Sequence, residues 1–424
     1  RLEYKKMKNL AVIILAAGKG TRMKSQTPKV LHTLCGRPML MFSLDLVKKL
    51  KSRKVVAVLG HKHQEVSKLI PRGVDIVVQK DLLGSADAVK QAQRALSGFR
   101  GTVLVLYGDN PLLKEETIKK LLKYHDDNSL DATILTAEVA KPDGYGRIVR
   151  DKLGSITGIT EDKDADAYVK AIKEINTGIV CFDKSKLFSA LKQVRPDNSK
   201  KEYYLTDVIG ILSRAGSLIE AVRLTDIDES LGVNSRKDLA KANRIMNRRI
   251  LDDLMESGVT IVDPETTFVN WGVKIGCDSI IYPFTVIEKG ARIGKFCSLG
   301  PFCHVREGVT IDDKAIIGNF IEIVRSRFGG NSIAKHFCYL GDSRIGKNVN
   351  IGAGVVTANF DGTHKNPTRI KDNAFIGSDT VLVAPAYVGK GAVTGAGSVL
   401  PKNTRVQDKT IVVGVPARPL NKKR

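Results

Sequence analysis

The sequence predicts two domains in series: a doubly wound α/β domain, then a triangular prism of stacked β-coils. Three observations carry this reading. Short apolar strands alternate with helical patterns through the first half of the 424 residues. One long helical pattern over residues 235–257 then interrupts the alternation. Beyond Gly258 an aliphatic residue followed by glycine recurs at about six residues or multiples of six, the signature of hexapeptide repeats. The expected boundaries are therefore 1–232, 233–257 and 258–424.

In chain order, apolar runs place strands at 10–15, 55–59, 74–78, 103–107 and 132–137. Helical patterns lie at 38–50, 85–96 and 115–124, with Pro38 placed for a first helical turn. Ligands of such a sheet are expected at the carboxyl ends of its strands. Segments 145–149, 155–160 and 175–182 read as smaller strands inserted as a second lip, and 202–214 as a further helix ended by Gly216. The 235–257 helix carries one apolar stripe (Leu239, Ala242, Ile245, Met246, Ile250, Leu254) and is stopped by Gly258. Its cations fill the opposite face, as on a solvated connecting helix.

In the second half the repeated pairs are Ile275-Gly276, Ile293-Gly294, Leu299-Gly300, Ile317-Gly318, Leu340-Gly341, Ile345-Gly346, Ile351-Gly352, Ile376-Gly377 and Val388-Gly389. Each hexapeptide is one short strand plus a turn, and three close one coil. The aliphatic residue points inward and the small residue fits the corner. Stacked coils bury one continuous core. Interruptions at 359–368 and 401–406 are expected to be loops, where function concentrates on a rigid scaffold.

Composition narrows the function classes. Hydrophobic residues make up 42% and charged ones 27%, as in ordinary globular proteins. No apolar run is long enough to span a bilayer. The basic start, residues 1–8, precedes an apolar run too short for a signal peptide, and Met7 is the expected start. Six scattered cysteines without a paired CxxC indicate neither disulfides nor zinc. The net charge of +23 invites a nucleic-acid reading. However, the lysines are dispersed along the chain and aromatics are only 6%, with no stacking motif. Phosphate-bearing substrates and a generally basic surface account for the charge, so neither nucleic acid nor membrane insertion is expected.

Chemistry is densest where the first strand ends, at Leu15-Ala16-Ala17-Gly18-Lys19-Gly20-Thr21-Arg22-Met23, followed by Pro28-Lys29-Val30-Leu31. Gly18 and Gly20 let backbone amides approach a phosphate or base. Arg22 and Lys29 add cations for a polyphosphate. The spacing is neither that of a P-loop nor that of a dinucleotide fold. Asp109 follows an apolar strand, where it either ligates a cation or caps a turn.

An ordered set of motifs follows: Gln79, Leu83-Gly84-Ser85, Tyr107-Gly108-Asp109, Gly144-Tyr145-Gly146-Arg147-Ile148, Glu161, Glu174-Ile175-Asn176-Thr177-Gly178 and Gly232-Val233-Asn234. With the glycine-rich loop and the prism, this set resembles the bifunctional N-acetylglucosamine-1-phosphate uridylyltransferase/glucosamine-1-phosphate acetyltransferase family over nearly the whole chain. The resemblance implies a Rossmann-like nucleotidyltransferase domain with a mixed sheet, then a left-handed parallel β-helix. It implies that Leu15, Ala16, Ala17, Gly18 and Gln79 hold the uracil and ribose side of UTP, with Gly84 and Ser85 beside the base. Tyr107 and Gly108 would line the same site, Arg22 and Lys29 would neutralise the triphosphate, and Asp109 and Asn234 would bind Mg²⁺. Gly146, Glu161 and Asn176 would hold the N-acetylglucosamine ring.

In the prism the same resemblance implies an acetyl site of Arg306, Tyr339, Asn350, Ala353, Asn359, Phe360, Lys365, Ser378 and Ala396. There His336 would be the general base and Glu322 a group able to orient it. Taken alone, a histidine such as His336 is more often a surface or satisfied histidine than a base; its surroundings, Asn319-Phe320-Ile321-Glu322 before it and Tyr339-Leu340-Gly341-Asp342 after it, reverse that. Two positions depart from the family pattern: Val324 stands where a phosphate-binding lysine is usual, and Phe360 where a tyrosine is. Val324's neighbour Arg325 is expected on the opposite side of the strand. The implied substrates are UTP, N-acetylglucosamine-1-phosphate, glucosamine-1-phosphate and acetyl-CoA; the implied assembly is a homotrimer, and the implied location is cytoplasmic. An alternative is a monofunctional nucleotidyltransferase whose β-helix only oligomerises.

Overall fold

The computed structural model describes residues 9–420; the basic start and Met7 lie outside the described residues. The chain forms two compact units, one of residues through 34 with 38–243, the other of 35–37 with residues from 244 onward.

The first unit is built on a nine-stranded sheet. Its strands are β1 (Leu10–Ala16), β2 (Lys54–Leu59), β3 (Asp75–Val78), β4 (Thr102–Tyr107), β5 (Ala132–Glu138), β6 (Arg147–Arg150), β7 (Ile156–Thr160), β8 (Glu174–Asp183) and β9 (Ile219–Arg223). The main order is β9-β5-β8-β4-β1-β2-β3. β1 runs parallel to β4 and β2, which brings Leu15 beside Tyr107 and Val58. Every residue of β1 is buried, because alternate side chains enter two different cores. Ala11, Ile13 and Leu15 pack with α3 (Ser85–Gln91), α6 (Lys184–Ala190) and α7 (Asp207–Arg214). Leu10, Val12, Ile14 and Ala16 pack with α1 (Met39–Lys49), α2 (His63–Ser67) and α4 (Glu115–Asp127), while the short α5 (Ala167–Ala171) buries none of its residues.

The expected strands at 10–15, 55–59, 74–78, 103–107 and 132–137 are all present. Segment 175–182 corrects the reading of a lip. As β8 it lies inside the main sheet, antiparallel to both β4 and β5. Its run Ile179, Val180, Cys181 and Phe182 is buried on both faces, which only a central strand provides. The β6–β7 hairpin alone forms the lip and joins the start of β8 through Arg147 and Ile175. Pro38 precedes α1 as its cap instead of entering its first turn. The helix expected over 85–96 stops at Gln91 and continues as turns. The helix expected from 202 begins at Asp207, because Tyr203 is held extended: its N–H donates to Leu83 O and its carbonyl accepts from Ala86 N. The expected connecting helix is α8 (Arg236–Glu256), and its buried stripe includes Asn247. The Asn247 amide is satisfied there by Thr267 O and Val269 N.

The second unit is a prism of three parallel sheets with ten, eight and eight strands; one antiparallel strand ends the first. On the first face Ile281, Leu299 and Ile317 stack in register, one coil being about 18 residues. All nine aliphatic residues of the repeated pairs are buried. The glycines after them answer to the next coil. A Cβ on Gly318 would lie 2.0 Å from Lys335 O, and one on Gly352 2.5 Å from Ser378 N. The interruption at 359–368 is a loop between Val356–Ala358 and Thr368–Ile370. Residues 401–406 are no interruption: Pro401 to Thr404 turn an ordinary corner and Arg405–Val406 pairs with the strand before it.

Gly318→Ala is expected to lower the melting temperature of the prism, at a cost of about 2–3 kcal/mol, since a coil must lift from its neighbour. Gly397→Ala, with no atom within 4 Å of the added Cβ, is expected to cost about 1 kcal/mol through its positive φ alone. Calorimetry of the two variants checks this.

Candidate active sites

β1 delivers Leu15, Ala16 and Ala17 to the carboxyl edge of the sheet, where the chain leaves through Gly18. Gly20 has φ 63°, and a Cβ there would lie 2.7 Å from Cβ of Lys29, so glycine alone lets the loop close over that lysine. β4 delivers Gly108 and Asp109, and Gly108 N–H donates to Leu15 O at 2.9 Å. Val233 N–H donates to the carbonyl of Asp109, which docks Asn234 alongside. The Lys29 ammonium then donates to Asp109 Oδ2 and to Asn234 Oδ1, the latter at 3.0 Å. Asp109 and Asn234 therefore converge on one cation at the glycine-lined mouth. Arg22 lies in the same loop but is exposed, with no ion-pair partner among the described residues.

That donor set suits a hard divalent ion. One carboxylate and one amide oxygen point at a single positive centre, and Mg²⁺ takes oxygen ligands while keeping waters. Among the described residues no three His, Cys, Asp or Glu side chains are grouped so that they could hold a metal ion. All six cysteines are free, and burial pushes the Cys303 thiol up to about 12.

Deeper in the first unit, Gln79 is buried and donates to Gly84 O at 3.1 Å and to Asp87 Oδ2 at 2.7 Å. Ser85 is committed, its hydroxyl accepting from Leu205 N–H. The Tyr107 ring packs on Gly178, where a Cβ would lie 2.9 Å away, and burial beside Glu161 and Asp109 raises its hydroxyl pKa. The lip brings Gly146, Glu161 and Asn176 together: a Cβ on Gly146 would sit 3.6 Å from Glu161 Oε1, and Asn176 N–H donates to Gly146 O. Sequence reasoning missed two groups here. Thr206 donates to Glu161 Oε1 at 3.1 Å. Asp207 is pushed up to about 6, first by burial and then by the Glu161 charge. Only the Thr-Asp pair opening a helix signalled them.

In the second unit the expected acetyl residues fall in two groups. His336 precedes Ala353 by one coil, and Ala353, Ser378 and Ala396 continue the same corner upward, tied by Asp379 N–H to Ala353 O and Gly397 N–H to Ser378 O. Arg306, Glu322 and Tyr339 lie on the adjoining second face. Asn350 projects from the first face beside the corner. Glu322 does not hold His336; its carboxylate accepts from Arg306 Nη1 at 2.8 Å. His336 is exposed.

The loop after Ala358 is ordered by Asp361, which accepts from Thr363 N–H, His364 N–H, Asn366 Nδ2 and Lys402 Nζ and is held well below the usual carboxylate range. Phe360 and Lys365 bridge across it. Asn359 is buried and donates to Asp342. Arg325 grips the same carboxylate through two bonds of 2.7 Å. Arg325 lies on the opposite side from Val324, as expected: Val324 is buried, while Arg325, exposed and with φ 47°, reaches Asp342.

A model of the MobA-like NTP transferase domain matches residues 12–204, and one of the hexapeptide repeat of succinyl-transferase matches residues 367–402. The chain is 45% identical to the bifunctional protein GlmU of Pelotomaculum thermopropionicum, over 89% of this chain and 90% of that protein. It is 44% identical to the proteins of the same description from a Geobacillus species and from Thermosipho africanus, each over 92% of both chains.

Asp207 gives a pH prediction. Its folded pKa exceeds the unfolded value, so it favours folding at low pH and that contribution is lost as pH rises through about 6. Asp207→Asn is expected to stabilise the protein at pH 8 by about 1–2 kcal/mol after solvent screening. The gain should vanish below about pH 4. Thermal melts across this range check it.

Proposed function

The chain belongs to the family of bifunctional GlmU proteins, and from that premise and the two sites we propose how it makes UDP-N-acetylglucosamine. It is an enzyme with two transferase activities: uridylyl transfer from UTP to N-acetylglucosamine-1-phosphate, and acetyl transfer from acetyl-CoA to glucosamine-1-phosphate. The monofunctional alternative is set aside, because the bifunctional relatives match across both units.

In the first unit a sugar phosphate oxygen attacks the α-phosphorus of UTP and pyrophosphate leaves. The nucleophile is already an anion, so the site needs charge neutralisation and in-line positioning, with no general base. Asp109 and Asn234 would hold Mg²⁺, which when bound screens the repelling phosphates. Lys29, on its flexible stem, carries the second positive charge from those oxygens to the triphosphate. Arg22, unpaired among the described residues, meets the outer phosphates. Gln79 and Gly84 read the base, the Leu15 to Gly18 backbone lies along the nucleoside, and Gly146, Glu161 and Asn176 hold the sugar. The Lys29 bridge between Asp109 and Asn234 is the observation that carries this reading.

In the second unit His336 takes a proton from the sugar amine as the nitrogen attacks the thioester carbonyl, and the CoA thiolate leaves. The thioester arm would lie along the Ala353–Ser378–Ala396 corner, where small side chains leave room. Arg306, Arg325 and Lys365 surround Tyr339 and Asn359 and would hold the sugar phosphate, with Arg325 taking the part of the missing lysine. The first face carries outward Ile280, Ile316, Ile333, Phe375 and Val393, an apolar column that subunit packing in a homotrimer would cover. No helix among the described residues is long and apolar enough to cross a membrane.

Asp109→Asn is expected to lower UDP-sugar formation by roughly 10²–10³-fold and leave acetyl-CoA consumption unchanged; equal uridylyl rates would refute the metal assignment. For acetyl transfer, His336→Ala should lower kcat by about 10²–10⁴-fold. Arg325→Ala should instead raise KM for glucosamine-1-phosphate by about 10–100-fold with kcat nearly kept. Steady-state kinetics with a coenzyme A thiol readout separates the two.

A further inference from the structure

Neither active site accounts for the net charge of +23. The third face of the prism shows where part of it goes. Its strands stack in an unbroken register, Lys274 to Arg292, Thr310, Arg327, Arg344, Arg369, Tyr387 and Arg405. The inward residue of each strand is apolar, so the outward position carries the cation, and all six cations are exposed. Residues distant in sequence become a single column because one coil is about 18 residues.

These cations are poorly neutralised. Arg327 pairs with Asp312, and Arg405 lies 4.7 Å over the Tyr387 ring. Among the described residues Lys274, Arg292, Arg344 and Arg369 have no ion-pair partner. The carboxylates of the adjoining corner are engaged elsewhere: Asp313, Asp372 and Asp408 accept the backbone N–H of Lys295, Lys347 and Lys390. In that corner Lys295, Lys347 and Lys390 alternate with Asp313, Asp372 and Asp408, so it is close to neutral and the cation column stands alone. The first face is apolar, and the second carries the acetyl residues. Like charges would oppose the burial of the third face between subunits.

We propose that this face binds the backbone of a nucleic-acid duplex without reading its sequence. Parallel strands are spaced by about 4.8 Å, so seven steps from Lys274 to Arg405 span about 34 Å. That is roughly one turn of a duplex. The charged strip is long and one side chain wide, the footprint of a rod; an anionic bilayer would call for cations spread over a plane. The column itself holds one ring, Tyr387, and so no row to stack unpaired bases; the exposed stacked rings of Phe284, Phe302 and Phe320 lie at the corner between the first and second faces. No large apolar side chain in the column could enter a lipid surface. What the face offers is charge, repeated along a straight rigid scaffold, which is the requirement for phosphate contacts alone.

The test is fluorescence anisotropy of a labelled duplex of about 20 base pairs and arbitrary sequence, titrated with the full chain from about 50 to 200 mM salt. Engagement of five of the cations should weaken binding by about 10²–10³-fold across that range, a logarithmic slope of about −4.5. The triple variant Arg292→Gln, Arg344→Gln, Arg369→Gln should flatten the slope by about 2–3 units and keep acetyl-CoA consumption, which reports an intact prism. The control Lys51→Gln, Arg72→Gln, Lys90→Gln removes the same charge from the first unit and should leave the slope unchanged. Equal flattening by the two triples would overturn the proposal. So would an unchanged slope in the first triple, or binding to phosphatidylglycerol vesicles with none to the duplex.

Discussion

The first unit is organised around the meeting of Asp109 and Asn234 at one positive centre. Neither residue could be there alone. Asp109 sits at the end of a strand buried on both faces, and Asn234 arrives only because Val233 is bonded to the Asp109 carbonyl. Lys29 completes the arrangement because Gly20 gives it room. Two oxygens turned toward each other would repel without a cation, so the site is shaped for positive charge before any substrate enters. The same cation-seeking geometry suits a reaction in which two polyanions must approach.

The prism obeys a different constraint, the distance between coils. Backbone from one coil lies so close to the corner of the next that glycine is required at Gly318 and Gly352 irrespective of dihedral angle. This spacing converts a sequence period into columns of side chains. His336, Ala353, Ser378 and Ala396 form one such column, and the third-face cations form another. Rigid stacking therefore positions the acetyl chemistry and the basic strip by the same means.

Much of this was legible in the sequence. Strand alternation and the aliphatic-glycine repeat fixed both architectures, and the motif order brought Lys29, Asp109, Asn234, Gly146, Glu161 and Asn176 into view. What was not legible depended on geometry that no local pattern encodes. β8 read as an insertion because its central place arises from pairing with strands far away in the chain. The two-bond grip of Arg325 on Asp342 joins neighbouring coils, a pairing that no local pattern displays. Glu322 was offered to His336, yet a cross-coil neighbour, Arg306, claims it. The alignment of Arg292, Arg327, Arg344 and Arg369 on one face follows from the length of a coil and is invisible to any local pattern.

The coil is also a unit of length. Duplicating one 18-residue coil below Arg306 would add a rung to the charged column and a layer to the core, leaving each catalytic group with its present neighbours. Reach along the axis and chemistry at the corner can thus change separately in descendants of this chain, the first by counting coils and the second by exchanging single side chains.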